Sequence, residues 1–214
     1  MARGRPPAHT REQVVDAAIG IADVEGLAAV TMRRIAQDIG AGAMSLYTYV
    51  PDKDHLVDLM VDRVGGTVTP VPITGDWRTD LLALAGSQRA LMRAHPWLPA
   101  ALPNRRLIGR NMLTYLEQGL AALDPTGLPA PVKLEIIALI TGLVATFVTA
   151  ELAGSAPAPE QVALIGEAVA GGGLPHLAAA LAEGAQGSGP PGEPDFDRLA
   201  GWTITGLVTQ ALSS

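Results

Sequence analysis

Thr31-Met32-Arg33-Arg34-Ile35-Ala36-Gln37-Asp38-Ile39-Gly40, followed by Ala41-Gly42-Ala43-Met44-Ser45-Leu46-Tyr47-Thr48-Tyr49-Val50, decides how this chain is read. Thr31 is a hydroxyl N-cap, Ile35, Ala36 and Ile39 recur on one helical face, and Gly40 supplies a stop. The Gly40-Ala41-Gly42 turn then leads into a third helix over about Ala43–Tyr49. Two helices joined by so short a glycine-containing turn make a helix-turn-helix, whose second helix projects its N-terminal half into a major groove. An ordinary three-helix bundle shows the same spacing, so the pattern alone leaves both readings open.

Upstream, Thr10-Arg11-Glu12-Gln13 has the capping-box pattern; Val14, Ala17, Ala18, Ile21 and Ala22 follow at helical spacing, and Gly26 ends that helix. Downstream, Pro51-Asp52 breaks the third helix and caps a fourth, from Lys53 to about Val64, with Leu56, Leu59 and Met60 facing inward. Gly65–Gly75 is a Gly/Pro/Thr connection, which divides the chain into an arm and head over residues 1–64 and a body over 65–214. The body is expected to form helices near Trp77–Ala94, Asn104–Asp124, Pro131–Ala153, Glu160–Ala170, Pro175–Glu183 and Asp195–Leu212, with Gln186–Glu193 a loop of low complexity. No strand-like alternation and no internal repeat appear. The expected fold is all-α: a three-helix helix-turn-helix head, its fourth helix leading out, and a larger helical body.

Composition narrows the function classes. Forty-eight per cent hydrophobic residues indicate a well-buried chain, and 4% aromatics mean that Ala, Leu, Val and Ile build the core. The absence of cysteine excludes disulfides, thiolate metal sites and a cysteine nucleophile. The start, Met1-Ala2-Arg3-Gly4-Arg5-Pro6-Pro7, has no apolar stretch behind its bases and is not a secretory signal, so a cytoplasmic protein is expected. The longest apolar run, Ile136–Ala150, is shorter than the ~20 residues of a membrane span and carries Thr141, Thr146 and Thr149. A buried helix fits it better.

Charge does not favour nucleic acid. The net charge is −6, and residues 1–64 hold seven bases against nine acids, a net of −2. Arg3, Arg5 and Arg11 do cluster at the start, and distribution matters more than the sum.

The stretch from Thr31 to Gly40, then Ser45-Leu46-Tyr47-Thr48-Tyr49-Val50 and Lys53-Asp54-His55-Leu56, closely resembles the TetR family of bacterial repressors. The family pattern is a Thr-started helix with a Leu/Ile-Ala pair and a Gly stop, then Leu-Tyr-x-His/Phe-Phe/Val, then Lys-x-x-Leu. The body resembles the family's variable ligand-binding and dimerisation domain through its helix count, His95-Pro96-Trp97 and its last apolar helix.

The resemblance implies a DNA interface. Thr31 caps a helix whose N-terminus approaches a phosphate, where a helix end favours an anion. Arg33 and Arg34 lie on that helix's first turn, a tolerable place for cations if a phosphate or base edge receives them. Ala43, Met44 and Ser45 open the recognition helix; the first two offer only apolar contacts, for instance to a thymine methyl, and Ser45 a hydrogen bond. Family members often carry larger polar groups at the position of Ala43, so the operator sequence does not carry over. Tyr47 reaches a phosphate through its hydroxyl, Thr48 faces DNA, Tyr49 either contacts phosphate or packs, and Lys53 is a phosphate clamp. Arg3-Gly4-Arg5-Pro6 resembles an AT-hook core whose arginines enter a minor groove; a disordered basic tail is the other reading.

For the body, catalysis has no support. His9, His55, His95 and His176 are widely separated, no G-x-S-x-G is present, Gly171-Gly172-Gly173 lacks a phosphate-loop context, and Glu117 and Glu135 are unpaired in pattern. No metal or cofactor is expected. A pocket between helices is the better reading, with Met92, His95, Trp97, Asn111, Met112, Tyr115, Thr146 and Phe147 as candidate liners and a lipophilic or weakly polar effector. Ile136–Glu151 and Phe196–Leu212 are too apolar for solvent on all faces and are expected to pair with their symmetry mates in a homodimer. The function expected is a ligand-responsive repressor released from a palindromic operator. A helical enzyme and a DNA-binding protein that takes no small molecule are the alternatives.

Overall fold

Side-chain caps set the helix starts. Thr10 and Gln13 form a reciprocal box (Gln13 N–H to Thr10 Oγ1, 3.2 Å; Thr10 N–H to Gln13 Oε1, 2.9 Å). Thr31 accepts from Arg34 N–H at 3.1 Å, and Asp52 from His55 N–H at 2.7 Å. Asp76 and Asp195 do the same for two body helices. Each cap satisfies an N–H that the helix itself leaves open, at about 1 kcal/mol apiece.

The computed structural model describes residues 9–104, 109–154, 158–186 and 195–213. Among these, the helices run α1 Arg11–Glu25, α2 Met32–Ile39, α3 Ala43–Leu46, α4 Lys53–Gly65, α5 Trp77–Ala94, α6 Leu98–Ala101, α7 Arg110–Leu123, α8 Ala130–Ala153, α9 Pro159–Ala170, α10 Pro175–Gln186 and α11 Phe196–Leu212. Short 3₁₀ turns follow α1, α6 and α7. No strand occurs among the described residues. Arg3 and Arg5, and most of the loop expected over Gln186–Glu193, lie outside them.

The helix α3 stops at Leu46, three residues before the expected Tyr49. Thr48 N–H and Tyr49 N–H bond back three residues, to Ser45 and Leu46, and Thr48 Oγ1 donates to Ser45 O at 2.6 Å. Pro51 disfavours helical backbone at Val50 and ends the segment. The helix α7 starts at Arg110 and not Asn104, because residues 98–104 make a separate short helix and 3₁₀ turn carrying Pro99 and Pro103.

One continuous core joins head and body. Val14, Ala18, Ile35, Leu46, Val50, Leu56 and Met60 fill the head. The body packs α5, α8 and α11 together through Leu81, Ala85, Ile140, Val144, Val148, Ile204 and Val208. The valine, leucine, isoleucine and methionine side chains among these contribute roughly 1.5–3 kcal/mol each on burial. The helix α4 packs on α1 on one side and on α6 and α7 on the other, so it is mechanically shared. By length and composition α8 could cross a bilayer, being 24 residues at a mean hydropathy of 2.1, longer than the apolar run read from the sequence. It packs against α5, α7 and α11 instead. The pair α9 and α10 packs chiefly on itself and leaves Val162, Leu164, Leu177 and Leu181 exposed.

Candidate nucleic-acid interface and effector cavity

The turn between α2 and α3 depends on Gly40, whose φ of 70° is left-handed. Ala41 N–H closes on Ala36 O at 2.8 Å, and α3 then leaves at once. Ile35, Ala36 and Leu46 anchor both helices in the head core, which turns Met44 (80% exposed) and Tyr47 (47% exposed) outward on one surface. Arg33 is exposed there and makes no ion pair among the described residues. Two ties brace this segment: Arg11 Nε donates to Tyr49 O at 3.2 Å, and Lys53 Nζ, which keeps two further N–H donors, to Leu27 O at 3.3 Å.

Other positions differ from their simplest reading. Arg34 is clamped by Glu25 at 2.8 Å and Asp38 at 3.4 Å, and the Glu25 carboxylate pushes its pKa further up. A phosphate at Arg34 must compete with both. Ser45 Oγ donates to Gly42 O at 2.6 Å, so Ser45 and Thr48 spend their hydroxyl protons on their own backbone and present lone pairs outward. Tyr49 is half-buried against the head core, and Ala43 packs there as well. The sequence reading missed Arg11, whose role shows only once α1 and the end of the recognition segment are side by side.

Beneath the head lies a cavity of about 260 Å³. Its roof is the last turn of α4 (Val61, Gly65, Gly66) with Val68 and Pro70 of the connection, and its walls come from α5, α6 and α7. Met92, Asn111, Met112 and Tyr115 line it. His95, Trp97, Thr146 and Phe147 lie elsewhere, which corrects their expected placement. His95 Nδ1 (2.8 Å) and Trp97 Nε1 (2.7 Å) both meet Asp23 Oδ1 and tie α1 to the α5–α6 turn. Phe147 sits on the α5–α11 side of α8, edge-on to Phe196 at 5.1 Å and beside Arg89, which pairs with Glu151. Thr146 is exposed and donates to Gly142 O at 2.9 Å.

Burial pushes the Tyr115 hydroxyl up to about 12, against the smaller opposing effect of its hydrogen bond to Thr141 (3.0 Å). Gln118 Nε2 donates to Val71 O at 3.3 Å and fixes the connection over the cavity. No group of three His, Asp or Glu among the described residues could hold a metal ion.

Two family models match this chain. Residues 14–60 match bacterial regulatory proteins of the tetR family, and residues 69–189 match the tetracyclin repressor-like C-terminal domain. The chain belongs to the TetR family. Among its relatives, the HTH-type transcriptional repressor DrrR1 of Streptomyces coeruleorubidus is 42% identical over 66% of this chain and 53% of that protein. An HTH-type transcriptional regulator of Saccharopolyspora erythraea is 35% identical over 68% of this chain and 62% of that protein. The chain thus spans only about half to three-fifths of the length of these curated relatives. Apo ActR from Streptomyces coelicolor superposes with a TM-score of 0.78 at 27% identity, over 97% of this chain and 98% of that one. ActR has also been solved with actinorhodin, at a TM-score of 0.76 and 28% identity over 96% of this chain and 99% of ActR.

Proposed function

We propose that this TetR-family chain is a homodimeric repressor, acting in the cytoplasm, that leaves a palindromic operator when a small lipophilic molecule fills the cavity between α4 and α7. The observation that carries this reading is where the cavity sits. Its roof is the last turn of α4, the helix that also packs on α1, so anything that fills the cavity acts on the mount of the DNA-binding head. ActR, a regulator of the same architecture, holds actinorhodin, and an internal site in this body is consistent with that.

On the DNA side, Thr31, Arg33, Tyr47 and Lys53 contact phosphates, with Arg34 a further contact if DNA displaces its carboxylate partners. Ala43, Met44, Ser45 and Thr48 face base edges, and Tyr49 positions the segment by packing. The head over residues 1–64 moves as a unit against the body over 65–214, and the Arg3–Arg5 arm adds phosphate attraction. Effector binding favours a dimer whose heads are wrongly spaced, a two-state shift in which ligand and operator each weaken the other.

The test is a mobility shift on the DNA upstream of the protein's own gene. Binding at low salt that weakens steeply with added salt is the expected result. No binding to any palindromic fragment at low salt overturns the reading. Binding that no small molecule relieves leaves a regulator of the second kind, one that answers to a partner protein or acts constitutively.

A further inference from the structure

The cavity under α4 has a chemistry of its own, and it deepens the reading above, on which this inference rests. Its surface is mainly aliphatic: Leu84, Leu91, Met92, Leu98 and Met112 supply most of the wall, and no charged side chain lines it among the described residues. Among the described lining residues a ligand ion meets no counter-charge, and an unpaired buried charge is costly. Polar groups nevertheless converge on it: Ser87, Gln88, Asn111, Thr114, Tyr115 and Gln118.

Most of these are already committed within the protein. Asn111 Nδ2 donates to Asp62 O at 2.7 Å, the Tyr115 hydroxyl meets Thr141 Oγ1, and Gln118 holds Val71 O. Gln88 differs. Its side-chain carbonyl oxygen is buried and has no hydrogen-bond partner. Buried acceptors are almost always satisfied, and this one, at the wall of a cavity, is free to accept from whatever fills it, water or a ligand donor.

A second hollow of about 320 Å³ lies between α7 and α8, lined by Pro99, Ile137, Thr141 and Ala145 among others. It shares Leu102, Met112 and Tyr115 with the first, so the two are neighbours across one thin partition. Methionine is unbranched and adaptable, and Met112 borders both hollows. A molecule longer than the inner cavity therefore has somewhere to continue.

We infer that the two hollows form one elongated site for an uncharged, largely apolar compound that carries a hydroxyl, donated to the side-chain carbonyl of Gln88. The aliphatic walls supply affinity, Gln88 reads the donor, and the Met112–Tyr115 partition yields to the rest of the molecule.

Three matched probes test this on the full chain by isothermal titration: 2-naphthol, 2-methoxynaphthalene and 2-naphthoate. The expected order is 2-naphthol about tenfold tighter than its methyl ether, which lacks the proton, and no measurable binding of the carboxylate. Gln88→Met, of similar volume, should erase the difference in affinity between the naphthol and the ether while circular dichroism stays unchanged. Equal affinity for naphthol and ether, or a preference that survives Gln88→Met, overturns the donor requirement. Tightest binding by the naphthoate overturns the uncharged class. Absence of binding by all three is a different failure, which overturns the assignment of the cavity as an effector site together with this inference.

Discussion

The Asp62 carboxylate, near the end of α4, accepts the backbone N–H of Asn111 at 2.9 Å and so caps α7 from another helix. Asn111 returns a bond from its amide to the Asp62 carbonyl at 2.7 Å. Gly109 makes the approach possible, since a Cβ there would lie 2.0 Å from Asp62 Oδ1. Because Asn111 and Met112 also line the cavity, this cap couples the α7 wall of the cavity to the α4 roof.

Removing the cap should cost stability and response together. Asp62→Ala is expected to destabilise the chain by about 1–3 kcal/mol, the range for a charged acceptor serving buried donors. Gly109→Ala should be at least as harmful alone, yet less so in the Asp62→Ala background, where the contacts with Asp62 Oδ1 and Cγ are gone and only the 2.7 Å approach to its Cβ remains. Urea denaturation of the three variants checks this, and strictly additive losses would show that the two residues do not share one contact.

The Asp23 cluster makes a second tie. Trp97→Phe keeps the buried ring but loses the indole N–H that Asp23 receives at 2.7 Å. A loss of about 1–3 kcal/mol is expected, and it should vanish in an Asp23→Ala,Trp97→Phe pair relative to Asp23→Ala alone, since alanine leaves the indole N–H no acceptor. Equal losses in both backgrounds would mean that the ring's packing, and not its hydrogen bond, is what Trp97→Phe disturbs.

These ties also mark where the sequence stops being informative. The head was legible because its signals are local: Thr10, Thr31 and Asp52 announce caps within three residues of their targets, and Gly40 must be left-handed. Body helices were legible for the same reason, through 3.6-residue periodicity. The pocket was only half legible. Met92, Asn111, Met112 and Tyr115 line it, whereas His95 and Trp97 turn to Asp23, more than seventy residues earlier in the chain. A polar or aromatic residue on an apolar helix looks the same whether it faces a cavity or a distant carboxylate. Only the packing of α1 against the α5–α6 turn distinguishes them.

Tyr115 gives a pH signature. Its hydroxyl, pushed up to about 12 in the fold, ionises near 10 in the unfolded chain. Between those values the unfolded state has released the proton and the folded state has not, so stability falls as pH rises through that window. Below about pH 10 the contribution is constant. Wild type should therefore lose urea midpoint more steeply than Tyr115→Phe between about pH 10 and pH 12; parallel curves would place the Tyr115 hydroxyl in contact with water.

On the DNA face, Tyr47→Phe and Thr31→Ala should separate binding from folding. Tyr47 is 47% exposed, so losing its hydroxyl should leave the melting temperature unchanged while lowering operator affinity several-fold. Thr31→Ala removes the α2 cap and should cost about 1 kcal/mol of stability as well as affinity. Unchanged operator binding by Tyr47→Phe would remove that hydroxyl from the interface.

The last prediction concerns the outer face of α8 and α11. These helices bury Ile136, Ile140, Val144, Val148, Ile204 and Val208 inward, yet leave Leu139 at 55% and Trp202 at 66% exposure on the other side. Isolated exposed apolar residues mean little, but a face shared by two adjacent long helices invites a symmetric partner. A stable pairing needs roughly 1,000 Å² or more of buried surface, and two helices of 24 and 17 residues are long enough to provide it. The chain should therefore sediment as a dimer, and Leu139→Glu with Trp202→Glu should sediment as a monomer of unchanged helicity. Because two heads must engage half-sites about 34 Å apart, the monomer should lose more than tenfold in affinity for a palindrome while retaining its weak affinity for a half-site. If the double variant stays dimeric, the interface lies elsewhere, and the exposed Val162, Leu164, Leu177 and Leu181 of the α9–α10 pair become the surface to change next.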